Sequence, residues 1–106
     1  MKILLIEDDR ELAESMKFQL EKEGYETDIC DDGEEGLYYM KERSHDLVIL
    51  DLGLPDRDGL EFIRTVRQKY MTPIVVLSAR TDEMDKIEAL DLGANDYITK
   101  PFSTGE

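Results

Sequence analysis

The sequence predicts an α/β fold, a five-stranded parallel sheet with crossover helices on its faces. Apolar runs alternate strictly with segments of helical period along all 106 residues. Three of the runs, Ile3–Ile6, Leu47–Leu50 and Ile74–Leu77, are apolar at every position and rich in β-branched residues, the pattern of strands buried on both faces. The first run, in "LLIEDD", stops abruptly at Glu7, Asp8 and Asp9, so three mutually repelling carboxylates stand at the edge of a core. Either they form a solvated turn or a cation belongs among them.

Taken in order, the elements fit this plan. After the first strand, Leu12, Met16 and Leu20 share a helical face with Ala13, and Gly24 sits where a C-terminal cap belongs. Asp9 reads as the cap of that helix or a partner for its dipole. Asp8 and Glu11 have capping-box spacing, the bland alternative for Asp8. Tyr25–Cys30 alternates in polarity and suits an edge strand. Gly36, Leu37 and Met40 mark a shorter second helix after "DDG". His45, in "SHD" before the Leu47–Leu50 strand, reads as a surface residue; as a phosphorelay histidine it lacks a surrounding helical bundle. "DRD" at 56–58 reads as a turn before a third helix, marked by Leu60, Ile63, Val66 and Tyr70 and closed by Pro73. Met84, Ile87 and Leu90, with Ala94, mark a fourth helix ending at Gly93, and Asp96–Thr99 is the other edge strand.

Composition narrows the function. At 41% hydrophobic residues the chain can build one compact core. Its net charge of −13, from 26 acidic and 13 basic residues, argues against binding nucleic acid or an anionic membrane and suits cations or a basic partner. Cys30 is the one cysteine, which excludes an intrachain disulfide and fits a reducing cytosol; it reads as edge-strand packing. The first apolar run is too short for a signal peptide or a membrane span, so a soluble cytoplasmic domain is expected.

In an open parallel sheet, functional groups gather beyond the carboxyl ends of the strands. Here those ends deliver Glu7 and Asp8, then Asp51, Ser78 and Lys100. Acids from two strands make an oxygen-only cage suited to Mg²⁺, since no Cys or His joins it. A lysine and a hydroxyl nearby are what a transferred phosphoryl group needs, and Asp51 is the best nucleophile for it. Alone, Ser78 is a post-strand turn hydroxyl and Lys100 a solvated lysine; their company promotes them.

The motifs "LLIEDD", "VILDLGLPDRDG", "VVLSAR" and "GANDYITKPF" resemble the receiver domain of two-component response regulators over essentially the whole chain. The finer likeness is to the OmpR/PhoB class, and within it to KdpE-type regulators of potassium-uptake genes. The resemblance implies the flavodoxin-like, doubly wound strand order 2-1-3-4-5. It makes Asp51 the phosphoacceptor, Asp8 a direct Mg²⁺ ligand with Asp51, Glu7 an acid acting through metal-bound water, and the Gly53 carbonyl a further ligand. Ser78 and Lys100 would hold the phosphoryl oxygens. Tyr97, otherwise a core residue, would be the aromatic switch. The resemblance also implies a cis Lys100–Pro101 bond and a sensor histidine kinase as partner. Gly53 departs from the bulkier residue usual in receivers, which leaves a backbone ligand intact.

Two other readings compete. A Mg²⁺-dependent phosphohydrolase of the dehalogenase type wants an acid two residues after its nucleophile, where this chain has Gly53, and a cap domain. A phosphorylation-independent module of the same fold predicts loss of site residues, yet all are present. A nucleotide or flavin binder lacks its glycine-rich loop. Right-handed crossovers give three helices on one face and one on the other. A fifth helix is therefore expected to start at "STGE", 103–106, which has capping-box spacing. By the resemblance, that helix would join the fourth helix and last strand in a homodimer face touching Lys86 and Asp96, and a DNA-binding domain would follow.

Overall fold

The protein structure is a computed structural model that describes residues 1–56, 58–79 and 83–99. They form β1 (Lys2–Ile6), α1 (Arg10–Lys22), β2 (Glu26–Cys30), α2 (Gly33–Glu42), β3 (Leu47–Leu50), α3 (Gly59–Arg67), β4 (Ile74–Ser78), α4 (Glu83–Leu92) and β5 (Asp96–Thr99). Every strand pair is parallel, as the alternating pattern predicts, and the order is β2-β1-β3-β4-β5, as the resemblance implies. Lys100, the Lys100–Pro101 bond and the 103–106 capping box lie outside the described residues.

Carboxylate caps start three of the helices. Asp9 accepts from the Leu12 N–H (3.1 Å), Asp32 from Glu35 (2.8 Å) and Asp58 from Leu60 (2.9 Å). Gly24 (φ +95°) and Gly93 (φ +119°) turn the chain after α1 and α4 in the left-handed region that favours glycine.

The first crossover steps outward from β1 to β2 and the later ones step the other way. Right-handed connections therefore put α1 on one face and α2, α3 and α4 side by side on the other. The pleat sorts the strand residues between these layers. Leu4, Ile6, Cys30, Val48, Leu50, Ile74, Val76 and Tyr97 join Met40, Phe62, Ile63, Val66 and Ala89 in one core beneath α2–α4. On the α1 face, Ile3 and Leu5 are buried, Leu47, Ile49 and Val75 are half-buried, and Ile98 is 43% exposed. Cover on that face thins toward β5. Cys30 is fully buried, and that burial, reinforced by the surrounding acids, pushes its thiol pKa far above the ordinary value.

Two expectations need correcting. The apolar period that marks α4 faces outward: Met84 is 69% exposed, Ile87 48% and Leu90 39%, while Ala89 is buried. A 3.6-residue period sets Met84 and Ile87 across the helix from Ala89, and the small side chain lets α4 approach α3 and β5 closely. His45 is not a surface side chain either. It is 1% exposed, with Nε2 donating to Asp28 Oδ2 at 2.9 Å beside an Arg43–Asp28 ion pair of 3.1 Å. Burial pushes the Asp28 pKa up, but the hydrogen bonds from His45 and Arg43 outweigh it and hold the carboxyl below its usual range.

Arg67 knots the far end of the sheet. Its Nε and Nη2 donate to the Gly93 carbonyl (3.1 and 2.9 Å), and Nη1 donates to the carbonyls of Tyr70 (3.0 Å) and Thr72 (2.8 Å). Nη2 also reaches Asn95 Oδ1 (3.1 Å), which accepts from the Ile74 N–H (2.9 Å). A lysine cannot reproduce this planar fork. Arg67→Lys is expected to cost about 2–4 kcal/mol, a net loss equivalent to one or two charge-assisted hydrogen bonds at about 1.5–3 kcal/mol each, because the lysine ammonium keeps the charge and can re-form the others directly or through water. Urea unfolding with an unchanged slope and a lowered midpoint checks this; an unchanged midpoint contradicts it.

Candidate functional site

The carboxyl ends of β1 and β3 bring the predicted acids together. The Glu7 N–H donates to the Cys30 carbonyl (3.0 Å) and the Asp51 N–H to the Ile6 carbonyl (3.0 Å). The sheet ladder thus continues one residue past each strand and fixes both backbones. Glu7 is 1% exposed, Asp51 8%, and Asp8 lies open to solvent. Glu7 Oε2 accepts from the Asp9 N–H (3.1 Å), and Asp51 Oδ1 from the Gly53 N–H (3.2 Å). One carboxylate oxygen from each of Glu7, Asp8 and Asp51 lies within 4.8 Å of the others.

At that spacing, each pair of charges repels by roughly 3–4 kcal/mol at an effective dielectric of about 20. A cation of two charges among them reverses the sign of the sum. The donor set is oxygen throughout and fits a hard divalent ion. Mg²⁺ so held supplies positive charge against the carboxylates and against phosphoryl oxygens.

Ser78 ends β4 on the same rim and is 1% exposed. Tyr97 lies in the core of β5. Lys100 would follow β5 but is outside the described residues. A Cβ on Gly53 would meet only Asp51 Oδ1, at 3.9 Å, so the space there does not demand glycine.

Two supporting residues escaped the sequence reading. The Gly59 N–H donates to the Leu52 carbonyl (2.9 Å), and a Cβ at Gly59 would come within 2.6 Å of Leu52 Cα, so α3 packs backbone to backbone against the segment after Asp51. Asp56 accepts from the Gly33 (2.8 Å) and Glu34 (2.9 Å) N–H groups, pinning the β3–α3 loop to the start of α2. The "DG" before an apolar period is a signal for Gly59. Nothing local signals Asp56, whose partners lie 23 and 22 residues away.

The family model of the response regulator receiver domain matches residues 3–106. The chain belongs to that family. The receiver domain is similar to the receiver domain of the Francisella response regulator 1452, at 36% identity and a TM-score of 0.91, over 96% of this chain and 85% of that one. It is similar to the BeF3-activated N-terminal receiver domain of Klebsiella pneumoniae RstA, at 32% identity and a TM-score of 0.93, over 97% and 88% of the two chains. The response regulator TrrA of Thermotoga maritima, in complex with Mg²⁺-BeF, matches at 33% identity and a TM-score of 0.86, over 96% and 88%. A receiver domain is a phosphorylation-dependent switch that works with Mg²⁺ and a sensor histidine kinase, and the acid cluster suits that ion. Among the described residues, no helix is long and apolar enough to cross a membrane.

Proposed function

We propose that Asp51 is the phosphoacceptor of this receiver, with Glu7, Asp8 and the Gly53 carbonyl serving the metal. An Asp51 carboxylate oxygen bonds to phosphorus as the P–N bond of a kinase phosphohistidine breaks, and the leaving ring nitrogen keeps the electron pair. Ser78 donates its hydroxyl to the phosphoryl group, Lys100 pairs with its charge, and Tyr97 passes the change to the α4–β5 face. The observation that supports this reading is the meeting of Asp51 with Glu7 and Asp8 oxygens within 4.8 Å. The domain catalyses only its own phosphorylation and dephosphorylation.

Acetyl phosphate with Mg²⁺ is expected to add one phosphoryl group, seen by intact mass and mapped to Asp51, and to add none with chelator. Metal-independent addition, or addition elsewhere, overturns the assignment. Mg²⁺ is also expected to raise the melting temperature of the wild type by roughly 10 °C at a hundredfold excess over Kd, where linkage contributes about 2.7 kcal/mol. Asp8→Ala should abolish that rise while melting no lower than the wild type without metal, because one repulsive charge is gone. A full Mg²⁺ response in Asp8→Ala would remove Asp8 from the ligand set.

The motifs further support a cytoplasmic regulator of the OmpR/PhoB class, most like the KdpE type. In that reading the 1–106 receiver is joined by a C-terminal helix, for which the thin cover over Ile49, Val75 and Ile98 leaves room, and by a DNA-binding domain. The homodimer surface would be the α4–β5 face, where Met84, Ile87, Lys86 and Asp96 are exposed. A net charge of −13 speaks against direct nucleic-acid binding by the receiver itself.

A further inference from the structure

Glu7 and Asp8 stand on one loop and Asp51 on another, and the chain from β2 into α2, which supplies none of these acids, is tied to both loops. The Cys30 carbonyl takes the Glu7 N–H (3.0 Å), and Asp31 Oδ1 meets Arg10 Nη1 at 3.1 Å. From the β3–α3 connection, Asp56 accepts the Gly33 N–H with Oδ1 (2.8 Å) and the Glu34 N–H with Oδ2 (2.9 Å). The start of α2 thus bridges the two loops that carry the acid cluster.

These ties differ in strength. The Arg10–Asp31 side chains are 60% and 64% exposed, where an ion pair contributes little. Asp56 instead sets both carboxylate oxygens on backbone donors at a helix N-terminus, charge-assisted bonds that the helix dipole favours. Helix α2 has its own cap in Asp32, through the Glu35 N–H at 2.8 Å, so Asp56 comes to it as a second carboxylate from another loop. The helix start is also a firm post. Gly33 and Gly36 are buried, and a Cβ at Gly36 would come within 2.6 Å of Ile6 Cδ1.

The part of the connection that needs such a post lies just upstream of Asp56. Leu52 and Leu54 anchor in the core, while Gly53 between them is exposed and has no side chain to fix its own peptide. The Gly53 N–H is engaged by Asp51 Oδ1 (3.2 Å), but its carbonyl belongs to the next peptide, on the Asp56 side. Building on the reading of Asp51 and the Gly53 carbonyl as groups that serve the metal, we propose that Asp56 is a positioning residue for the divalent ion. Its clamp on α2 holds the connection so that the Gly53 carbonyl stays aimed at the ion beside the acids.

The test is calorimetric titration of the 106-residue chain with MgCl₂. Asp56→Ala is expected to raise the Mg²⁺ Kd about tenfold, the low end of the 10–100-fold typical when a group that orients metal ligands is lost. Asp56→Asn keeps one acceptor oxygen, so it should weaken binding less, and it carries the test if the alanine variant does not fold. The ratio to the wild type should persist at high salt, which screens the bare loss of a surface charge. Arg67→Lys, at the far end of the sheet, should lower the urea midpoint and keep the wild-type Kd. Wild-type affinity in the Asp56 variants overturns the proposal, as does weakening that high salt removes or that Arg67→Lys reproduces. Asp8→Ala is titrated in parallel. If it loses Mg²⁺ while the Asp56 variants bind normally, the ligand reading stands and the positioning role alone fails; if it binds as the wild type does, both fail.

Discussion

Asp51→Asn is expected to fold normally and take up no phosphoryl group. An amide has the shape of the carboxylate, and its oxygen can still accept from the Gly53 N–H that Asp51 Oδ1 engages at 3.2 Å. It has no anionic oxygen with which to attack phosphorus, and loss of a nucleophile lowers rates by several orders of magnitude. The substitution also removes one of three clustered charges, so the metal-free variant should melt at or above the wild-type temperature. A time course of intact mass with acetyl phosphate and Mg²⁺ is the measurement. Phosphoryl uptake at wild-type rate would move the nucleophile elsewhere. A variant that fails to melt cooperatively would give Asp51 a structural role instead.

Gly59→Ala is expected to be the most damaging single-methyl change near the site. Its Cβ would come within 2.6 Å of Leu52 Cα, 2.9 Å of Leu52 Cδ2 and 3.1 Å of the Asp51 carbonyl oxygen. Two of those atoms are backbone and cannot rotate away, so α3 or the segment after Asp51 must shift. Overpacking typically costs about 1–3 kcal/mol, and a backbone clash belongs at the upper end. Gly53→Ala is the control, because its Cβ meets nothing closer than 3.9 Å. It should be neutral, or stabilise by about 0.4–1 kcal/mol through the unfolded chain. The urea midpoint of Gly59→Ala should therefore fall below the wild type's, while that of Gly53→Ala stays level or rises. The Gly59→Ala protein should also bind Mg²⁺ more weakly, since the displaced main chain carries Asp51. Equal midpoints would show that the close approach at Leu52 relaxes freely.

Much of this was legible in the sequence because it depends on neighbours in the chain. Leu47–Leu50 announces a buried strand by its own composition, and Asp51 follows it directly. Glu7, Asp8 and Asp51 could be brought together on paper because parallel strands share a carboxyl end. The misreadings came where a residue's fate is decided by distant contacts. Met84 and Ile87 have a helical apolar period, but period alone does not say which stripe faces in, and the close packing of α4 chose the side with Ala89. His45 looks like a loop residue until Asp28, 17 positions earlier, supplies its partner. Asp56 shows no sign of reaching across to Gly33, because a cap given from another loop leaves no local pattern.

Cys30 makes the receiver its own timepiece. As the one sulfhydryl of the chain, buried in the core and held in its unreactive thiol form, it is closed to aqueous reagents while β2 stays on β1. Its carbonyl is also the acceptor that fixes the Glu7 backbone, so the opening that bares the sulfur loosens the acid cluster. The rate at which a disulfide reagent modifies Cys30 therefore counts those opening events one molecule at a time. When each exposed thiol is trapped slowly relative to reclosing, any ion bound by the closed cluster alone should slow modification by the factor 1 + [ion]/Kd. A tube of colorimetric reagent then reads the occupancy of a site that itself has no colour.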